Sequence, residues 1–211
     1  MNLSEIRENA KRRLEGTCRV CRVCDGTACR GEIPGFGGCG SGSSFVNNVR
    51  ALASVRLNMR VLHDAYDPAT SLTLFGVDLK YPILGAPVAG VKINRMQSMT
   101  EAELTEAMIC GPALAGTIGT GGDGGLPEVL DTALEMIGRQ AGGRGGIVIL
   151  KPREQQIIVD GVRRAEDAGA NAVGIDVDAA AFINMRLAGQ KVEPKTGAML
   201  ADIISATRLP F

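Results

Sequence analysis

The run Tyr-Pro-Ile-Leu-Gly-Ala-Pro-Val-Ala-Gly-Val, residues 81–91, is apolar from end to end. A strand with one wet face would alternate apolar and polar residues, so an unbroken run reads as a strand buried on both faces, as in a parallel sheet covered by helices. Comparable runs follow at residues 114–119, 146–151 and 172–176, and a fifth begins at Phe211. Each gap holds one helix. Thr100 caps a helix over residues 100–110, with Glu101 and Glu103 in the first turn where negative charge suits the dipole. Glycine-rich residues 119–125 lead to Pro127 at a first helical position and a helix to about Ile137. Residues 154–168 form an amphipathic helix with Ile157, Ile158, Val162 and Ala165 inward. Thr196 caps a last helix to about Thr207. About four βα units without intervening hairpins predict an α/β fold with a parallel sheet, either a barrel or doubly wound.

The N-terminal third reads differently. Ser4 as N-cap and Gly16 beyond the C-terminus bound a helix over residues 5–15, with Ile6, Ala10 and Leu14 on one face. Residues 17–44 hold five of the six cysteines, many glycines, Pro34 and no apolar period. Such a segment needs a tether other than a core. Residues 47–59 regain helical or extended character, and residues 71–79, with Gly76 at the middle, form a hairpin leading into the first run. The predicted organisation is a lead-in over residues 1–70 and an α/β unit over residues 71–211.

A chain of 211 residues with 23 basic and 23 acidic side chains can bury a core and has no basic field for nucleic acid or anionic lipid. Five phenylalanines, two tyrosines and no tryptophan offer no base-stacking platform. No run approaches the roughly 18 apolar residues of a membrane span, and the charged N-terminus has no signal-peptide core. The expectation is a cytoplasmic protein whose partner is a small molecule.

In parallel α/β architectures ligands bind at the carboxyl ends of the strands. Those ends are Ala86-Pro87-Val88-Ala89, Gly119-Thr120-Gly121, Lys151, and Asp176 with Asp178. A glycine loop, an ammonium and two carboxylates at successive tips make one polar mouth, which makes Lys151, Asp176 and Asp178 the catalytic candidates. Residues 119–124 also fit the pattern G-x-G-x-x-G of a dinucleotide loop, with Lys151 and Arg153 as cations for a 2′-phosphate. That keeps an NADP-binding α/β domain as a second reading. Cys18, Cys21, Cys24 and Cys29 have the spacing C-x2-C-x2-C-x4-C, with Cys39 further on, and point to zinc or an iron–sulfur cluster. A third reading is therefore a non-enzymatic metal-binding or assembly module. Cys110 reads as a small buried residue and His63, the only histidine, as structural.

Residues 48–52 (Asn-Val-Arg-Ala-Leu), 60–62 (Arg-Val-Leu), the hairpin entering Tyr-Pro-Ile-Leu-Gly-Ala-Pro, and residues 174–178 (Gly-Ile-Asp-Val-Asp) together resemble the FMN-dependent α-hydroxy-acid oxidases and dehydrogenases. The likeness is greatest to bacterial forms with a cysteine-rich N-terminus. The resemblance implies the N-terminal half of a (β/α)8 TIM barrel, FMN across its mouth, and oxidation of a 2-hydroxy acid by hydride transfer to the flavin. It places the backbone of Ala86, Pro87 and Val88 against the flavin, the Thr120 hydroxyl at its edge, and Lys151 and Asp176 where the family keeps a tyrosine and a threonine. The early tyrosine of the oxidases is absent. The family's lysine, its Ser-Asn-His-Gly-Gly-Arg motif and its phosphate-binding strands have no counterpart up to Phe211. The resemblance thus implies a truncated form, inactive alone, that pairs as a homo-oligomer or with a complementing half-barrel chain.

Overall fold

The computed structural model describes residues 2–32, 38, 40–94, 96, 98–140 and 143–211. It divides into two compact units, Met1–Ala69 with Asn94–Ser98, and Thr70–Ile93 with Met99–Phe211. Among the described residues no helix is long and apolar enough to cross a membrane.

The smaller unit carries helices α1 (Leu3–Arg13) and α2 (Ser43–Ser54), and neither buries a residue. The cap of α1 is Asn2 rather than Ser4: its side chain accepts the Glu5 N–H at 2.9 Å, and Glu5 accepts the Asn2 N–H at 2.9 Å. This reciprocal box satisfies two donors that the first turn leaves without helical partners. The face expected to pack is open, with Ile6 48% exposed. After Ser54 the chain has no regular structure up to residue 69, and His63 lies exposed within that stretch.

The larger unit opens with the hairpin β1 (Leu72–Leu74) and β2 (Val77–Leu79), paired antiparallel. Phe75 and Gly76 both have positive φ, 50° and 75°, the turn whose twist matches the flanking strands. Val77 and Leu79 pack on Ile118, Ile147 and Ala172. Since Ile147 and Ala172 are the first residues of their strands, this small core closes the amino ends of the sheet and leaves the carboxyl ends open.

The sheet is parallel, in the order β3 (Thr120–Gly122), β4 (Ile147–Leu150), β5 (Ala172–Ile175). It alternates with α3 (Glu101–Ala115), α4 (Pro127–Arg139) and α5 (Gln155–Asp167), and ends with α6 (Ile183–Leu187) and α7 (Gly197–Ser205). Side chains alternate across a strand: Val148, Leu150 and Val173 enter the main core with Ile137, Ile158, Val162 and Ile203, whereas Ile147 and Ile149 face the opposite side. Thr100 and Pro127 occupy the helix starts expected of them.

Three expectations fail, each for a physical reason. Residues 81–91 form no strand: Pro82 and Pro87 have no N–H to give a ladder. The segment nonetheless runs beside β3, held by Lys80 N–H to Gly116 O at 2.8 Å and Gly85 N–H to Ile118 O at 2.9 Å. Its other side has no strand neighbour among the described residues, and Tyr81, Ile83 and Leu84 are 48, 67 and 40% exposed rather than buried. The strand expected over residues 114–119 lies later, because α3 continues past Pro112 and stops at Gly116, whose φ of +93° ends it. In α5, Ile157 points outward at 51% exposure while Ile158, Val162 and Ala165 are buried.

Gly119 and Gly121 therefore serve helix packing. A Cβ on Gly119 would stand 2.4 Å from the Met108 carbonyl oxygen and 2.5 Å from Ile109 Cα; one on Gly121 would stand 2.9 Å from Ala133 Cβ. Backbone obstructs the Gly119 position, so Gly119→Ala is expected to destabilise by about 3 kcal/mol, read as a lowered urea midpoint at unchanged slope.

Beyond α7 the chain returns to the sheet, and Val173 donates its N–H to Pro210 O at 3.0 Å. Glu166 fastens this return. It accepts the Arg208 backbone N–H at 2.9 Å, the Thr207 hydroxyl at 2.7 Å and Arg208 Nε at 2.6 Å. These bonds hold its pKa down to about 2, from an ordinary value of 4.5. A carboxyl depressed on folding contributes stability above its unfolded pKa and loses it as pH falls through the folded one. Acid unfolding between pH 4.5 and about 2 is therefore expected to be shallower in Glu166→Gln than in the parent chain, measured as urea midpoint against pH.

Candidate functional site

The polar mouth is built outward from one buried carboxylate that the sequence reading did not single out. Asp123, 4% exposed, follows β3 directly and accepts the Lys151 backbone N–H at 2.9 Å and Arg153 Nε at 2.9 Å. Burial pushes its pKa up, against the opposing pull of Arg153. Arg153 also donates to Gly124 O at 3.0 Å and to the Gln190 side chain. The signal in the sequence was the lone charge inside residues 119–125.

Arg153 is enclosed at 7% exposure and bonded to Asp123, Gly124 and Gln190. Gly119 and Gly121 face helices rather than a ligand. Of the two cations of the dinucleotide reading, Lys151 remains partly exposed, paired with Asp176.

Lys151 and Asp176 end neighbouring strands and form an ion pair. The Lys151 ammonium lies 5.3 Å from the centre of the Phe182 ring, close enough for a cation–π attraction. Asp178 stands in the 3-10 turn Val177–Ala181 beside it. Burial opposes ionisation of Asp176, but hydrogen bonds from Asp178 and Lys151 prevail and hold its pKa below the usual range. The hydrogen bond to Asp176, and then its charge, raise Asp178.

Thr120 is displaced from its expected place. In register with Ile147 and Ala172, it opens β3 instead of closing it and lies deeper than Lys151 and Asp176. Its side chain is 4% exposed, and among the described residues no partner bonds its hydroxyl. Thr120, Pro87, Ile149, Gly174 and Asp176 nevertheless line one cleft of about 620 Å³ on the face of the sheet away from the helices. Ala86 and Val88 lie exposed on either side of Pro87, where the Val88 N–H bonds Ala86 O at 2.9 Å. Four of the six residues expected at a cofactor, Pro87, Thr120, Asp176 and its ion-pair partner Lys151, thus meet in or at this cleft.

Cys18, Cys21, Cys24 and Cys29 lie in the smaller unit. Cys18 and Cys29 are half-buried and Cys21 and Cys24 exposed; Cys39 lies outside the described residues. Burial raises the Cys29 thiol, and so do Cys24, Cys18 and Cys21, which therefore share its neighbourhood. Among the described residues no three side chains converge to hold an ion, contrary to the sequence expectation of a formed metal site. Free thiols have no attraction that would gather them, and metal binding itself commonly completes such a site. Cys110 is half-buried and accepts a bond from Gln140 Nε2 at 3.4 Å.

The chain is 34% identical over 154 residues to 4-hydroxymandelate oxidase of Amycolatopsis orientalis, a match covering 70% of this chain and 39% of that relative. It is 29% identical over 170 residues to L-lactate oxidase of Alicycliphilus denitrificans, covering 81% of this chain and 42% of that relative. The chain spans about two fifths of the length of these curated relatives. No solved structure matches it at a significant level. The model of the FMN-dependent dehydrogenases matches residues 36–207, and the chain belongs to that family.

Proposed function

We propose that the larger unit is an arc of a (β/α)8 barrel, that its cleft is one wall of an FMN site, and that the reaction served there is oxidation of a 2-hydroxy acid. The observation that carries this reading is the cleft itself, where Pro87, Thr120 and Asp176 line one apolar-walled space. A flavin ring needs a flat apolar wall with a few polar atoms at its rim. The layer Gly122, Ile149, Gly174 is flat because glycines flank its one side chain, and the Thr120 hydroxyl has no partner among the described residues. Bound there, FMN would supply the two-electron acceptor for the substrate.

The protein's own groups have separable tasks in this reading. Lys151 presents an ammonium to the substrate carboxylate, and Phe182 keeps that ammonium in place. Asp176 and Asp178 are the carboxylates available to accept the substrate's hydroxyl proton. The likeness to 4-hydroxymandelate oxidase and L-lactate oxidase supports a small 2-hydroxy acid as substrate. The exposed residues Tyr81, Ile83 and Leu84 and the open cleft favour a second copy, or a complementing half-barrel chain, as the cover of this face.

Titration of FMN into the protein is expected to quench flavin fluorescence saturably, with a Kd of about micromolar or weaker for the monomer. A Cβ on Gly174 would meet only Ile149 Cδ1, at 3.0 Å, the movable end of a side chain. Gly174→Leu should therefore fill the cleft and raise that Kd by about tenfold or more, roughly 1.4 kcal/mol, with its urea midpoint little changed. Absence of saturable quenching by the parent chain overturns the flavin site. In FMN-loaded protein, Lys151→Met is expected to weaken binding of lactate or 4-hydroxymandelate by about tenfold, the loss of one charge-assisted hydrogen bond, followed through the flavin absorption; an unchanged affinity removes Lys151 from substrate binding.

A further inference from the structure

We propose that Glu101 is a positioning residue of the flavin site: its carboxylate holds the chain at Gly90 and Val91 and so fixes the Pro87 turn against the cleft. The inference rests on the flavin reading and names a residue outside the cleft through which that site is set.

Residues 81–91 run beside β3 without forming a strand, so their place depends on separate attachments. The first half is tied to the residues just before β3. Lys80 N–H bonds Gly116 O at 2.8 Å, Gly85 N–H bonds Ile118 O at 2.9 Å, and the Thr117 hydroxyl donates to Ile83 O. The second half is tied to α3. Glu101 accepts the Gly90 N–H on one oxygen at 2.9 Å and the Val91 N–H on the other at 2.6 Å. Gly90 has φ of 89°, a conformation that glycine adopts without strain, and two successive N–H groups turned to one side make a concave seat for an anion. Gly90 and Val91 are buried, and Glu101 opens α3, where a negative charge meets the positive end of the helix.

Between the two attachments lie residues 86–89, the stretch with the tight turn at Pro87. It packs over the glycine of the middle layer: a Cβ on Gly122 would stand 3.5 Å from Pro87 O and 3.6 Å from Ala89 Cβ. Pro87 lines the cleft with Thr120 and Asp176. Packing does not duplicate the latch, because a cavity of about 170 Å³ lies beside it, lined by Val91, Ile93, Glu101, Leu126 and Val129. With the two bonds broken the segment has room to shift, and the cleft loses the wall that Pro87 supplies.

The test compares Glu101→Ala and Glu101→Gln with Thr196→Ala, which removes the cap of α7 and touches neither Gly90 nor Val91. Hydrogen exchange of the flavin-free chain reads the latch: the amides of Gly90 and Val91 are expected to exchange about tenfold faster in Glu101→Ala, the loss of a charge-assisted bond. Titration with FMN reads its consequence, a Kd raised about tenfold in Glu101→Ala. Glu101→Gln, whose amide oxygen still accepts an N–H, should fall between parent and Glu101→Ala in both measurements, and it carries the test if Glu101→Ala does not fold. A Glu101 that only stabilised the fold would lower the urea midpoint as Thr196→Ala does and leave Kd at the parent value. Unchanged exchange at Gly90 and Val91 overturns the latch. Faster exchange with an unchanged Kd overturns its role at the flavin while the flavin reading stands. A parent chain that does not quench FMN removes the flavin reading and this role together, whatever the exchange shows.

Discussion

Asp123 is the point through which the site is assembled. Its two carboxylate oxygens are divided between the backbone of β4's outgoing loop and the guanidinium of Arg153, so the tips of β3 and β4 are fixed relative to each other by one side chain. Arg153 then reaches Gly124 and Gln190. Lys151 sits two residues before Arg153 and emerges at a set height, where it can meet Asp176. Removing one partner of a buried pair leaves the other charge desolvated, which is far more costly than the pair is stabilising. This arrangement sets position more than it adds stability.

Much of the fold was legible because local chemistry decided it. The Thr100 cap with Glu103, proline at the start of α4, and the β-branched run of β4 each carry their signal within a few residues. The first apolar run misled for the opposite reason. Its hydrophobicity reports what the chain is meant to lie against, but a ladder needs N–H donors and strands on both sides, and two prolines and one open flank deny it both. Gly119 and Gly121, which read as part of a phosphate loop, are demanded by the closeness of α3 and α4, a tertiary fact with no local trace. Asp123 was passed over because a single aspartate among glycines resembles a turn residue; only the neighbouring strand shows why it is charged and buried.

The same division holds for the site. Lys151 and Asp176 were predictable from strand tips alone, since consecutive parallel strands place their ends side by side. Thr120 was misplaced by the shift of β3 and came to lie deeper in the cleft, still on the face away from the helices. For the cysteines, spacing pointed to a metal site that the described residues do not form.

In its layer of the sheet Ile149 has glycine on both sides, Gly122 and Gly174. No neighbouring side chain in that row shares the task of setting how deep the cleft runs. Its depth is therefore a variable governed by one codon: a shorter residue there would sink the floor, and an aromatic one would raise it, without touching the groups that carry charge. Divergence among related proteins in the size of molecule they admit could begin at that position, with the rim and its ion pair left as they are.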